Sequence, residues 1–477
     1  MAKPLHRLLP TLPQWFGLLL LLTLTSAAWR TALVASDGDA CMHWRVGEWM
    51  LENRQLIQHD DFSHSRQGTP IISKEWLAQL IFAGAGRLAG FYGLVLVAAS
   101  VIALTFALLF RQLLRAGNNL LVAGGLTVLA TWAACSHWLA RPHVFSFLMM
   151  VLWHDALLRL QGRRLILTLG LLTGLWVNLH GGFLAGFLVL GAYWLGAVLE
   201  RDWTKFRYLT LAGVVSGAAS FINPSGYRLH LNNLEFLQSK FLTGWLAEYA
   251  STDFHSAGAL GFTIWLAVIF FTLVLVRPKL SASSGVLLLS WIYFALYAGR
   301  NVPLLVLLSA PVLAGALTPV VPERWRALSQ RVLAVSEAGH GWWLVAAVGV
   351  ALAVTPHPIS FPKENWPVEA VQYIRDHPHQ FTGKMFNQYM WGGYLLKELP
   401  EHKTFVDGRT DVFGEELIKD FSVTTGLLPG WTNSFVKYDI GWVLMPQDHR
   451  LNLALAKLPE WSCVHSDATA MVWSKTP

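Results

Sequence analysis

Residues 36–49 read S-D-G-D-A-C-M-H-W-R-V-G-E-W and follow directly on an apolar run at 16–34. That run has about the length of a membrane span, for which about 20 apolar residues suffice. Asp37, Asp39, His43, Arg45 and Glu48 therefore crowd one short stretch at the mouth of a helix. Acids beside a bilayer are costly unless water, a cation or a substrate takes up their charge. The side of the membrane on which this stretch lies, and what shares that side, sets the reading of the whole chain.

The composition agrees with a chain that crosses a membrane several times. Of 477 residues, 54% are hydrophobic and 14% charged, where a soluble protein carries roughly 25% charged residues. Mean hydropathy is +0.43, and the 23 Trp suit a protein with long membrane–water interfaces. The net charge of +7 is spread over short loops, which argues against nucleic acid as a partner. Cys41, Cys135 and Cys463 form no C-x-x-C pair, so zinc or thioredoxin-like chemistry has no support. A Cys41–Cys463 disulfide is conceivable if both lie outside. The first 28 residues, with Lys3 and Arg7 ahead of an apolar core, resemble a signal peptide. The core is longer than a signal core and further spans follow, so it reads as an uncleaved first helix.

Apolar runs predict about 11 transmembrane helices, at roughly 15–35, 91–113, 118–137, 143–160, 164–180, 182–199, 207–222, 258–276, 284–300, 302–320 and 340–356. With the N-terminus in the cytoplasm, the inner loops carry Arg111 and Arg115; Arg159, Arg163 and Arg164; Arg201, Lys205 and Arg207; Arg277 and Lys279; and Arg324, Arg326 and Arg331. The short outer links carry Arg141, Arg300 or no cation. This asymmetry obeys the positive-inside rule. It places 36–90, 223–257 and the C-terminal segment outside a plasma (inner) membrane, in the periplasm or extracellular space.

Within 36–90, residues 44–51 and 76–88 show apolar positions at helical spacing and read as interfacial helices. The domain division that follows is a multi-span transmembrane domain at 1–356 and an extracytoplasmic α/β domain at 357–477. In the latter, helices are expected at 367–375, 393–399, 415–425 and 450–458. Strands are expected at 385–387, 404–406 and 441–445, with a closing hairpin at 463–472. At about 120 residues this segment is long enough for its own core.

The candidate site residues cluster on the outer side. Asp37 and Asp39 form a carboxylate pair that can act as a general base or hold a divalent cation, Mg or Mn; a solvated, helix-capping loop is the plain alternative. His43, Glu48, Asp60, Asp61 and Glu75 in the same loop favour chemistry. Arg141 and His143 flank Pro142 at the outer start of a span, and Arg300 precedes Asn301 and Pro303 at another. Each arginine can bind a phosphate bidentately at headgroup depth, or merely anchor its helix. W-V-N-L-H-G-G (176–182) turns two spans at the outer face and offers Asn178 and His180, unless His180 is simply a satisfied buried histidine. Asn223, Glu248, Tyr249 and Asp253 read as a wall of the site. W-G-G-Y (391–394) and D-G-R-T-D (407–411), with Asp407 and Arg409, either contact a substrate or buckle the domain onto the membrane part. No P-loop, dinucleotide glycine run, H-E-x-x-H or G-x-S-x-G occurs, which argues against ATP-driven transport, dinucleotide chemistry, zinc proteolysis and serine-elbow hydrolysis.

These residues together resemble the GT-C superfamily of integral-membrane glycosyltransferases, which includes protein mannosyltransferases and the aminoarabinose transferase of lipid A. D-x-D-x-x-x-H-x-R-x-G-E-W (37–49), D-x-F-S (60–63), E-W-L (75–77), W-x-N-L-H-G-G (176–182), G-G-Y-L (392–395) and D-G-R-T-D (407–411) are similar to motifs of a large bacterial group within it. The resemblance spans nearly the whole chain. It implies a GT-C-like polytopic helical fold and transfer of a sugar from a polyprenyl-phosphate carrier to an extracytoplasmic glycan, lipid or protein. The acid that activates the acceptor or holds a metal then falls on Asp37 or Asp39, and the arginines binding the lipid phosphate fall on Arg141 and Arg300. The catalytic set reads Asp37, Asp39, His43 and Glu75. The substrate-binding set reads Arg45, Arg141, His143, Asn178, His180, Arg300, Asp407 and Arg409.

Two other classes stay open, a lipid-linked-substrate transporter and a non-catalytic assembly subunit. A transporter favours paired repeats and ionisable groups near mid-bilayer, whereas the polar residues here gather at the outer face. The topology is directly testable. A reporter fused after residue 477 is expected to be active only in the external compartment, and cytoplasmic activity would separate the C-terminal segment from Asp37.

Overall fold

The computed structural model describes residues 9–336, 341–355 and 357–476. Lys3 and Arg7 lie outside them. Helices α1 (Leu12–Thr25) and α2 (Ala27–Ala35) form one apolar path bent by 72°. The bend falls at Ser26, whose extended backbone interrupts the first expected span. The acidic stretch then opens α3 (Asp39–Asn53), and α4 (Trp76–Arg115) follows. The interfacial helix expected at 76–88 and the span expected at 91–113 are thus one 40-residue element, broken at Ala89–Gly90. Gly90 has φ +60, a left-handed conformation that glycine adopts without a Cβ clash.

The remaining helices of the membrane part are α5 (Leu120–Ala134), α6 (His143–Arg159), α7 (Gly162–Leu179), α8 (Leu184–Leu199), α9 (Trp203–Ala219), α10 (Tyr227–Gln238), α11 (Lys240–Trp245), α12 (Leu260–Phe271), α13 (Ala282–Tyr297), α14 (Val302–Leu317), α15 (Glu323–Ser336) and α16 (Trp342–Val354). Several begin where a short polar side chain accepts an otherwise orphan backbone N–H. Asn119 accepts from Leu121, Asp202 from Lys205 and Ser281 from Ser284. Each expected span falls on a helix. Among the described residues, five helical stretches are long and apolar enough to cross a bilayer unaided, or six if the bent α1–α2 pair is one span. Two parts read as loops from the sequence are helical: 223–257 holds α10 and α11, and Arg324, Arg326 and Arg331 lie on α15.

The C-terminal part runs α17 (Val368–Asp376), β1 (Lys384–Asn387), α18 (Gly392–Glu398), α19 (Thr410–Gly426), α20 (Asn433–Lys437), β2 (Ile440–Pro446), α21 (Arg450–Leu455), β3 (Trp461–Ser466) and β4 (Ala470–Lys475). The sheet order is β1-β2-β4-β3, with β1 parallel to β2 and β3–β4 an antiparallel hairpin. The strand expected at 404–406 does not join it. Thr404 instead bridges to Ser63 of the segment between α3 and α4, and the Asn387 side chain accepts the Phe405 N–H at 2.8 Å. No Cys41–Cys463 disulfide forms, since Cys41 is buried on α3 and Cys463 exposed on β3.

The two parts share one apolar core. The main cluster runs from the membrane helices into Phe361, Trp366, Ala370, Leu395 and Trp442. A second cluster, with Phe386, Phe405, Phe413, Phe421 and Trp473, packs α19 on one face of the sheet. Glycines set the closest approaches. A Cβ on Gly393 would lie 2.1 Å from the Gly38 carbonyl oxygen, and one on Gly392 would lie 2.2 Å from that of Val406. Gly393 therefore lets α18 touch the backbone of the acidic stretch, and Gly392 lets it touch that of Val406 and Asp407. Lys397 adds an ion pair to Glu48 at 2.9 Å and lies over the Trp44 ring at 3.8 Å. Gly393→Ala is expected to destabilise by about 1–3 kcal/mol, as overpacking does. The checks are a lower melting temperature in detergent and faster proteolytic release of the C-terminal part.

Candidate functional site

The site is built around one guanidinium. Asp37 ends the α2–α3 link, and its carboxylate accepts the Asp39 N–H at 3.1 Å, which turns both acids to one side. Arg141, in the link before α6, donates from Nη1 to Asp37 Oδ2 at 3.0 Å and pairs through Nη2 with Asp39 Oδ2 at 2.8 Å. Glu248 approaches the same nitrogen at 3.8 Å and pairs with Arg300 at 3.2 Å. Arg300 also lies 4.6 Å from the Tyr249 ring centre. Three carboxylates thus share two guanidiniums in one mostly buried row.

The charges respond to that setting. Burial raises the Asp39 carboxyl above its ordinary range; Arg141 pulls it back, and the like charges of Asp37 and Glu248 push it up again. For Arg141, burial works against the charge, but Asp39, Asp37 and Glu248 outweigh it and raise its pKa. Glu248 is likewise opposed by burial but held below the usual carboxylate range by Arg300 and Arg141. The C-terminal part covers this row: a Cβ on Gly408 would lie 1.8 Å from Asp39 Oδ1. D-G-R-T-D therefore touches the acid pair through its glycine. Arg409 is 8% exposed and donates to Asp407 and to Asp60, at 2.6 Å and 2.7 Å, which ties the turn to the segment between α3 and α4.

A second group lies in the same cavity. Glu75 precedes α4, with His180 Nε2 at 3.4 Å from one carboxyl oxygen and His43 Nδ1 at 3.8 Å from the other. Burial raises Glu75 to about 7, against the pull of Lys74 and Arg141. Burial also holds His43 well below its ordinary range, so it stays neutral. Lys74 pairs with Asp411 at 3.0 Å.

The cavity has a volume of about 970 Å³. Its lining combines the charged groups above, with Lys240, Tyr389 and Arg409, and apolar side chains of α6, α8, α13 and α14: Phe147, Leu184, Leu188, Trp291, Phe294 and Leu304. Asp37, Asp39, His43, Glu75, Arg141, His143, His180, Arg300 and Arg409 all face it. Arg45, Asn178 and Asp407 do not. Arg45 pairs with Glu52 at 3.3 Å on the far side of α3. Asn178 accepts the Trp76 indole N–H at 2.7 Å and donates to the carbonyls of Gly174 and Ile222, which pins the start of α4 beside Glu75. His143 is turned to the His137 carbonyl at 2.8 Å. The sequence reading missed Gly408 and Ser146, whose roles are contacts to residues far away in the chain.

A metal does not fit the acid pair in this arrangement. Among the described residues no three His, Cys, Asp or Glu side chains are placed to hold a metal ion. One oxygen of Asp37 and one of Asp39 already meet Arg141, whose charge would repel a cation. Removing that arginine is informative. Arg141→Gln leaves buried carboxylates without their counter-ion, at a cost on the order of 3 kcal/mol. The folded variant would then hold protons on these acids to higher pH than the unfolded chain, whose carboxyls release them near about 4. Its stability therefore falls as pH rises. The melting-temperature deficit against wild type is expected to be small near pH 4 and to widen toward pH 8.

Solved structures share this architecture. The AglB oligosaccharyltransferase of Archaeoglobus fulgidus, in complex with an inhibitory peptide and a dolichol-phosphate, matches with a TM-score of 0.61 at 12% identity, over 91% of this chain and 69% of its own. ArnT of Cupriavidus metallidurans bound to undecaprenyl phosphate matches with a TM-score of 0.55 at 15% identity, over 96% and 97% of the two chains. No family model and no protein of curated function matches the chain in sequence. At these identities the likeness is one of fold, and it covers the membrane helices and the C-terminal part alike. The chain is thus a polytopic helical membrane protein with a small C-terminal α/β part, and its fold is that of the GT-C glycosyltransferases.

Proposed function

We propose that this protein is a membrane glycosyltransferase that moves a sugar from a polyprenyl-phosphate carrier to an extracytoplasmic acceptor. The observation that carries the reading is the cavity, whose lining combines a row of charged side chains with apolar side chains of the membrane helices. Such a cavity suits a ligand with a phosphate head and a hydrocarbon tail. The dolichol-phosphate and undecaprenyl phosphate bound to the structural neighbours support the same class of donor.

In this reading the Asp37–Asp39 pair takes the proton of the acceptor as its oxygen or nitrogen attacks the anomeric carbon. Arg141 orients the pair and keeps its charge tolerable in a buried setting. A carboxyl raised toward neutrality is well matched to a general base. Arg300, shared only with Glu248 and laid on Tyr249, is the freer of the two arginines and is assigned to the donor phosphate, with Lys74 and Lys240 at the rim. The sequence reading gave that role to Arg141 as well, but its guanidinium is committed to the acid pair. No step is routed through a metal.

Purified protein is expected to consume an undecaprenyl-phosphate sugar. Asp37→Asn and Asp39→Asn are each expected to lower turnover by roughly 10²–10⁴-fold with the fold retained, the range for loss of a positioned base. Near-normal turnover in both would remove the pair from the chemistry. Arg300→Lys keeps the charge but loses the two parallel bonds a guanidinium makes to phosphate, so a raised apparent KM for the donor is expected. Failure of any such donor to be consumed would favour an assembly role.

A further inference from the structure

Helix α15 belongs to the membrane part but cannot cross a bilayer. At 1.5 Å per residue it is about 21 Å long, against about 30 Å of hydrocarbon, and it carries Glu323, Arg324, Arg326 and Arg331. Two serines hold it in place. Ser329 Oγ accepts the N–H of Leu120, the first residue of α5, at 2.8 Å. Ser336 Oγ accepts the N–H of Leu12, the first residue of α1, also at 2.8 Å. Both N–H groups are among those that a first helical turn leaves without an intrahelical partner. The serines are two turns apart, or about 10 Å along the axis. α15 thus runs from the start of one membrane helix to the start of another, along the membrane surface.

The other faces of α15 follow from about 3.6 residues per turn. Beside the packed serines lie Trp325, Leu328 and Val332, which are 40%, 47% and 38% exposed. On the flank of that stripe away from the serines lie Arg324 and Arg331, both exposed. The one acid of the helix, Glu323, pairs with Arg326 at 3.2 Å. Arg324 and Arg331 therefore have no acidic partner among the described residues, and Arg324 lies 5.5 Å from the Trp325 ring centre. At the ends of membrane helices, the surroundings that suit such a pair of stripes are the acyl boundary and the headgroups.

We propose that α15 is an interfacial brace that binds anionic phospholipid, with Trp325, Leu328 and Val332 set into the acyl boundary and Arg324 and Arg331 on headgroup phosphates. Charge selects the lipid. Two unmatched guanidiniums favour a headgroup of net negative charge over a zwitterionic one, whose own cation offsets its phosphate. Each guanidinium can also take two phosphate oxygens in parallel. The asymmetry of basic residues assigns this side to the cytoplasm, where the leaflet carries anionic lipid. Because α15 supplies acceptors to the starts of α1 and α5, its hold on lipid also steadies two membrane helices. The inference is independent of the transfer reading. It concerns the start of α5, whereas His137, beyond the other end of that helix, lines the cavity.

The test is hydrogen exchange of the α15 amides in the full chain, in nanodiscs of phosphatidylcholine alone or in an equal mixture with phosphatidylglycerol. Exchange is expected to be slower in the mixture, by roughly fivefold for each arginine. The difference is expected to shrink as salt screens the charges. Arg324→Gln combined with Arg331→Gln is expected to exchange alike in both lipids, and a wild-type melting temperature in phosphatidylcholine marks that variant as folded. Leu328→Gln combined with Val332→Gln is expected to exchange faster in both lipids. Equal exchange of the wild-type helix in the two lipids at low salt would overturn the proposal, as would a lipid difference that the arginine variant keeps. Unchanged exchange in the Leu328→Gln, Val332→Gln variant would overturn insertion of the apolar stripe. Protection that follows protein concentration rather than lipid charge would assign the stripe to a second copy of the chain and overturn the proposal likewise.

Discussion

Everything at this site depends on how three carboxylates are kept in a mostly buried setting. Asp37, Asp39 and Glu248 would repel one another and resist desolvation if left alone. Arg141 answers the first two at 3.0 Å and 2.8 Å, and Arg300 answers the third at 3.2 Å. The arrangement joins the link before α3, the link before α6, the segment after α11 and the turn before α14. A fixed row of alternating charge therefore sets the distance between four parts of the chain.

That row is completed from the C-terminal part. Gly408 lies against the Asp39 carboxylate, Gly393 against the Gly38 carbonyl, and Arg409 reaches Asp60 in the segment between α3 and α4. The apolar core continues without a break from the membrane helices into Trp366 and Leu395. The α/β part thus acts as a wall of the cavity and shares its packing. A substitution at a glycine of W-G-G-Y or D-G-R-T-D disturbs the acid pair although it lies more than 350 positions away in the chain.

The fold shared with AglB and ArnT frames, in this chain, a cavity lined by both charged and apolar side chains. Within that frame this chain places two carboxyl centres of different character. The Asp pair is charge-balanced by a guanidinium, while Glu75 sits between neutral imidazoles.

Much was legible in the residues alone. Long apolar runs must become helices in a bilayer, because every backbone N–H and C=O has to be satisfied within the segment. The expected spans accordingly fall on helices, and the alternation of strand and helix patterns after 357 located β1, β2, the β3–β4 hairpin and most helices of that part. The charged residues at outer span ends could be named, since an ion beside a bilayer stands out against its apolar surroundings. Their pairings could not. Arg141 reads as a phosphate ligand or as a helix anchor until Asp37 and Asp39 are seen 3 Å away. Arg45 belongs to the same motif as Asp39, yet the helical turn carries it to the other side of α3. Asn178 reads as a site residue, but its amide is used up in holding Trp76 and two carbonyls. Local chemistry is written in the order of residues. Which charge meets which is decided by packing between elements far apart, where free energy depends on distances that sequence order does not contain.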